Sequence, residues 1–189
     1  VTTPPRLAPI LAQFEFERGR LLDRLAGLTD AEYLWEPVPG CWSIRPRAEV
    51  TTNRALGGGA WQLELARPEP DPPPFTTLAW RLCHLAIFTR IRADYTVGSK
   101  AMTPEAYEFP HTADTALAAL ADALAAWHQA LTSATDADLD RVGHSAFPWG
   151  LDPTLPFLDI TWWVNQELLH HGGEIALLRD LYRAWPRET

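Results

Sequence analysis

Lysine, methionine and cysteine are nearly missing from this chain: among 189 residues there are one lysine (Lys100), one methionine and two cysteines. Cys41 and Cys83 are too few for a disulfide framework or a thiolate metal cage, so each is expected to be a free thiol. No run of eighteen apolar residues occurs, and no membrane span is expected. The opening VTTPPRLAPI shows neither a basic start nor a small-residue cleavage site after an apolar stretch, so the expectation is a cytoplasmic protein. Positive charge falls to scattered arginines, and a net charge of −8 leaves no basic patch for phosphates, which argues against nucleic acid as a partner. The arginines themselves read as a solvated surface. His-Glu-x-x-His, Gly-x-Ser-x-Gly, a phosphate-cradling glycine loop and a dinucleotide fingerprint are all missing, which removes the usual support for protease, lipase-type, NTPase and Rossmann readings. Gly57-Gly58-Gly59 has no following lysine and reads as a flexible turn.

What remains is an ordinary globular composition, 47% apolar and 21% charged, of a length that suits one domain over residues 1–189. Apolar residues at helical spacing mark four long segments. The first runs from about Pro5 to Ala26 and stops at Gly27; the second runs from Thr76 or Thr77 to Val97 and stops at Gly98. The third follows His111-Thr112 and ends near Leu131; the fourth runs from about Leu158 to Ala184, between Pro156 and Pro186. Between the first two, Thr29 to Glu32 has capping-box spacing, residues 41–44 and 62–65 are candidate short strands, and Pro68 to Pro74 holds five prolines in seven residues, an extended linker. The predicted architecture is all-α: a four-helix bundle with a long elaborated crossover between helices one and two.

Polar residues interrupt the stripes that should face inward. On the fourth segment Ile160, Val164, Leu168, Ile175, Leu178 and Tyr182 share one face, and Glu167 and His171, four apart, fall within it. On the second, His84 sits amid Trp80, Ile87, Phe88, Ile91 and Tyr95. An unpaired inward carboxylate is costly, so something must compensate Glu167. Two imidazoles and a carboxylate can do this by holding a divalent transition metal, or Glu167 and His171 can form a plain buried ion pair. His170 is a rival ligand, turned about 100° from His171. Glu167 and His170 also have the spacing of di-iron carboxylate bundles, but the second such pair is missing. His128 fits a packed or supporting role, while His111 and His144 read as exposed. Cys83 reads as a packed thiol, and Trp80, Trp162 and Trp163 as cavity or interface lining.

Three stretches, Trp35-Glu36-Pro37-Val38-Pro39-Gly40-Cys41-Trp42-Ser43, Trp80-Arg81-Leu82-Cys83-His84-Leu85 and Asn165 to Ile175 around His170-His171-Gly172-Gly173-Glu174, resemble the DinB/YfiT-like superfamily of metal-binding four-helix bundles, in particular an actinobacterial-type DinB branch. The resemblance implies one divalent metal, zinc, nickel, manganese or iron, held by His84, Glu167 and His171, with Glu167 standing where the family typically has histidine. It implies supporting or ligand-orienting roles for His170, Glu174 and Arg81. Characterised relatives include enzymes that use a low-molecular-weight thiol for S-transfer or isomerisation, so the expected function is a metal-dependent transferase, hydrolase or isomerase acting on a small molecule. The contrasting expectation is a non-catalytic binding bundle whose metal site has degenerated at Glu167. A homodimer is also implied, with the Trp163, Leu177 and Leu181 side of helix four as its surface.

Overall fold

The structure, a computed structural model, describes residues 3–147 and 152–185, and it is mostly helical. Four long helices carry the core: α1 (Ala8–Leu25), α3 (Leu78–Val97), α4 (Ala113–Ser133) and α6 (Phe157–Ala184). Two short helices, α2 (Asp30–Tyr33) and α5 (Asp136–Leu139), precede α3 and follow α4. Two of the long helices, α3 and α4, start where a side chain can satisfy one of the first N–H groups. The Thr77 side chain accepts from the Trp80 N–H and the Thr112 side chain from the Thr115 N–H. Pro186, expected to follow the last helix, lies outside the described residues.

α1 packs on α4 and α6, and α3 packs mainly on the same two helices. The chain from 26 to 77, between α1 and α3, carries structure of its own. Strands β1 (Ile44–Pro46) and β2 (Trp61–Leu63) pair antiparallel, with Ile44 opposite Leu63 and Pro46 opposite Trp61. The paired strands lie slightly later, or earlier, than the two expected stretches. Residues 68–74 form no regular element, as their prolines require.

Leu11, Phe14, Leu21 and Leu25 of α1, Leu120, Leu124, Trp127 and Leu131 of α4, and Ile160, Val164, Leu168 and Ile175 of α6 meet the buried face of α3 in one core. Tyr182, expected in that stripe, is only half-buried and packs edge-on against Trp35, ring centres 5.5 Å apart. Three expectations fail. Gly57 to Gly59 is pinned: its three carbonyls accept from Arg47 Nη2 at 2.9–3.2 Å. At Gly57, with φ +119°, a Cβ would stand 2.8 Å from the Phe109 ring, so glycine is required by both backbone and packing. Nor are all arginines solvated, because Arg179 and Arg92 are buried. His144 is half-buried rather than exposed, its ring edge-on to Phe157 at 4.9 Å.

Arg179 is held on every side. Its Nε and Nη2 donate to the two carboxylate oxygens of Glu32 at 2.6 and 3.0 Å, and Nη1 donates to the carbonyls of Arg24 and Ala26. Glu32 thereby leaves its own helix start. Thr29 caps α2 by accepting from the Glu32 N–H, but the Glu32 carboxylate goes to Arg179 instead of closing a capping box. The pair locks the C-terminal half of α6 to the turn after α1.

Candidate metal centre

His84 lies two turns into α3, and Glu167 and His171 lie one turn apart on α6, on the faces these helices turn toward each other. Glu167 Oε2 stands 3.4 Å from His84 Nε2 and 3.3 Å from His171 Nε2. The two imidazoles meet edge to face, ring centres 4.7 Å apart, and one ligand atom from each of the three residues lies within 4.8 Å of the others. All three sequence-singled residues thus converge.

Each donor is held from behind. The His84 ring stacks on Trp80, centres 5.0 Å apart and planes 10° from parallel, and is flanked by Phe88 at 4.7 Å. Trp80 is fixed in turn, its Nε1 donating to the Glu64 carbonyl at 2.8 Å. His171 has Glu174 Oε2 at 2.6 Å from its Nδ1. A carboxylate at that distance requires a proton on Nδ1, which leaves the lone pair of a neutral ring on Nε2, facing Glu167. Arg81 Nη1 lies 3.2 Å from the same Nδ1, but two donors cannot share a hydrogen bond, so that contact is electrostatic crowding.

The donor set fits a metal ion. With Nδ1 of His171 protonated, Nε2 and the Glu167 carboxylate oxygen are two electron-pair donors facing each other at 3.3 Å, an arrangement that becomes attractive only around a proton or a cation. Ligand atoms at tetrahedral positions about 2.0–2.1 Å from one ion lie about 3.3–3.4 Å apart, and both contacts of Glu167 match that spacing. When protons rather than a cation fill that space, hydrogen bonds from His171 and then from His84 hold the Glu167 carboxyl well below the usual carboxylate range, against the opposing effect of burial. Burial lowers the His84 pKa, partly offset by Glu167, and so favours the neutral ring that a metal needs. Burial also lowers Arg81, opposed by Glu174 and Glu167.

The other candidate positions fall outside the triad. His170 is 61% exposed and its Nε2 lies 3.2 Å from Glu174 Oε1; together with His171 and Glu174 it forms a second, more open cluster of ligand-type atoms. Glu174 therefore touches both imidazoles, and Arg81 Nε pairs with its Oε2 at 3.1 Å. His128 stands apart, bonded to Glu15 at 2.9 Å, and exposed His111 stacks on Trp61. Cys83 is fully buried and contacts the Tyr33 hydroxyl at 3.3 Å, away from the triad although next to His84 in sequence. Trp162 is exposed, whereas Trp163 is half-buried with the Arg92 guanidinium over its ring at 5.0 Å. The buried Arg179 is the residue that sequence reasoning missed. Its signal was positional: it lies four residues after Ile175 and eight after His171, on the inward face of α6.

A mostly helical chain with a His-Glu-His cluster held between two of its core helices defines a class of helical proteins with an inter-helix centre able to take a metal. Residues 13–175, most of the chain, match the family model of the DinB superfamily, and the chain belongs to that superfamily. No curated protein and no solved structure matches the chain.

Proposed function

We propose that this protein is a metal-dependent enzyme, a single four-helix-bundle domain with an elaborated crossover between its first two long helices, in which His84, Glu167 and His171 hold one divalent transition ion: zinc, nickel, manganese or iron. The observation that carries this reading is the meeting of three donors from α3 and α6 around one point, with Glu167 Oε2 at 3.3–3.4 Å from both imidazoles. Membership of a generally metal-dependent superfamily supports it.

Such an ion, when bound, lowers the pKa of a coordinated thiol or water and so supplies a nucleophile at neutral pH. The chain's own residues prepare the place. Glu174 keeps the proton of His171 on Nδ1 and aims Nε2 at the centre, as carboxylates behind metal-ligating histidines do. Trp80 and Phe88 fix the plane of His84 and keep water from that side of it. Glu167 brings the negative charge that two neutral imidazoles lack. The reaction that fits is transfer of a low-molecular-weight thiol to a small electrophile, or a related hydrolysis or isomerisation, in the cytoplasm. A homodimer through the Trp163, Leu177 and Leu181 side of α6 belongs to the same reading, and Leu177 and Leu181 are exposed there.

The carboxylate at position 167 favours a second reading, a non-catalytic ligand-binding bundle with a degenerate centre. Elemental analysis of untagged protein separates the two. About one ion per chain, lost in both His84→Ala and Glu167→Ala, is the expected result, followed by turnover when a panel of low-molecular-weight thiols is offered with an electrophile. Freshly purified protein without metal, and without gain on adding any of the four ions, would leave only the second reading. Sedimentation tests the dimer.

A further inference from the structure

The crossover between α1 and α3 buries a carboxylate, Glu64, that has no place in the triad. It follows β2 and is 3% exposed, a costly position unless charge and hydrogen bonds meet it. They do. Glu64 Oε2 accepts from the Ser43 N–H at 3.0 Å and from Arg45 Nε at 2.9 Å, and the Glu64 N–H donates back to the Ser43 carbonyl at 3.0 Å. Residues 43 and 64 are thus closed into a ring by main chain and side chain together. Arg45 is held in turn, its Nη2 pairing with Glu36 at 2.7 Å and donating to the Cys41 carbonyl at 3.0 Å. Packed apolar residues often stabilise as well as a buried ion pair does, so the value of this one lies in the geometry it fixes.

What it fixes leads to the triad. The Glu64 carbonyl accepts from Trp80 Nε1 at 2.8 Å, and the Trp80 ring lies parallel to the His84 imidazole. The same segment holds the start of α3: Ser43 Oγ lies 2.9 Å from Thr77 Oγ1, the Thr77 N–H donates to the Trp42 carbonyl at 2.9 Å, and Thr77 caps the helix at the Trp80 N–H. Trp80 is therefore tied twice to the crossover, by its main chain through Thr77 and by its indole through Glu64. His84 depends on that indole. Among the described residues its one hydrogen-bonding contact is Nε2 to Glu167 at 3.4 Å, so no carboxylate behind the ring sets its plane as Glu174 does for His171.

We propose that Glu64 is a positioning residue for His84: anchored by Arg45 and Ser43, it holds the Trp80 indole and through it the plane of the imidazole, aiming Nε2 at the triad. The consequence for an ion rests on the metal-centre reading, whereas the hold on the ring does not. Partners behind a metal-ligating histidine are worth about 10–100-fold in affinity.

The test uses the full chain with and without cobaltous ion, a spectroscopic stand-in for zinc. In ion-free protein the His84 ring protons, assigned by their loss in His84→Gln, are expected upfield in the NMR spectrum because they lie against the Trp80 face. Glu64→Gln, which keeps the shape and removes the charge, should move them toward their position in unfolded protein and weaken cobaltous binding about tenfold. Arg45→Gln, at a side chain 25% exposed, should do the same and keeps the test open if Glu64→Gln does not fold; Arg45→Lys should restore part of both effects. Asp94→Asn, at the far end of α3, is the control for general loosening and should move neither. Unchanged His84 signals and cobaltous affinity in folded Glu64→Gln and Arg45→Gln overturn the proposal, as does an equal displacement in Asp94→Asn. A parent protein that binds no cobaltous ion, with His84 signals still moved by Glu64→Gln, ends the metal reading and leaves the hold on His84 standing.

Discussion

Cutting the lock between Glu32 and Arg179 should destabilise this protein far more than any surface ion pair. Both side chains are almost wholly buried, at 5% and 1% exposure, and are joined by two parallel N–H···O bonds of 2.6 and 3.0 Å. Glu32→Ala removes both acceptors and leaves the guanidinium facing only the carbonyls of Arg24 and Ala26. Stranding a buried charge in this way costs about 3–5 kcal/mol, against about 0–1 kcal/mol for an exposed pair. With a urea m-value of roughly 2–3 kcal/mol/M, the midpoint of unfolding should fall by roughly 1–2.5 M. Replacing both partners, Glu32→Leu with Arg179→Met, should recover most of that loss, because the expense lies in the unpaired ion and not in the missing pair. A Glu32→Ala midpoint within about 0.3 M of the parent protein, or a double variant no more stable than the single one, would refute the reasoning. The lock matters to the site as well: Arg179 lies eight residues beyond His171 on the same helix, about 12 Å along its axis.

Two further outcomes follow from buried or hydrogen-bonded ionisable groups. Burial pushes the Cys83 thiol up to about 12 and also raises Cys41, whose Sγ donates to the Val38 carbonyl at 2.7 Å. A thiol-reactive dye at pH 8 should therefore label neither residue in folded protein and both in urea; rapid labelling of Cys83 in the folded chain would contradict this. Asp94 ends α3 by accepting from the N–H groups of Ser99 and Met102 at 2.9 and 3.1 Å. Burial pushes its carboxyl up, but these donors and the Ser99 hydroxyl outweigh it, so the folded-state pKa lies below the ordinary one. Its stabilisation is thus complete above the unfolded pKa of about 4 and disappears as pH falls through the folded value. Asp94→Asn should lower the urea midpoint at pH 7, and the gap to the parent protein should close toward pH 2; a gap that persists or widens in acid would show the sign to be wrong.

The reach of the sequence differs from residue to residue. Thr77, Thr112 and Thr29 mark helix starts because a cap is a local bargain between a side chain and an N–H three residues on. Glu167 and His171 can be seen to share a face because helical geometry alone places residues four apart together. That His84 should meet them was only an expectation of pattern, since nothing local relates α3 to α6. Gly57 to Gly59 shows the opposite case: besides Arg47, Trp61 and Gln62 nearby, it meets Phe109 and residues 105–108, far off in the chain, so composition alone read it as loose.

By itself, then, the sequence determined the four long helices and the shared face of Glu167 and His171, both consequences of spacing along a backbone of known period. Only the tertiary structure decided which lone pairs face one another, because the His171 proton is placed by Glu174 and the His84 ring by Trp80, and it alone turned Glu32 and Arg179 from two scattered charges into a buried lock. Desolvation and hydrogen-bond geometry depend on what packs around a side chain, and that is settled by neighbours distant in sequence.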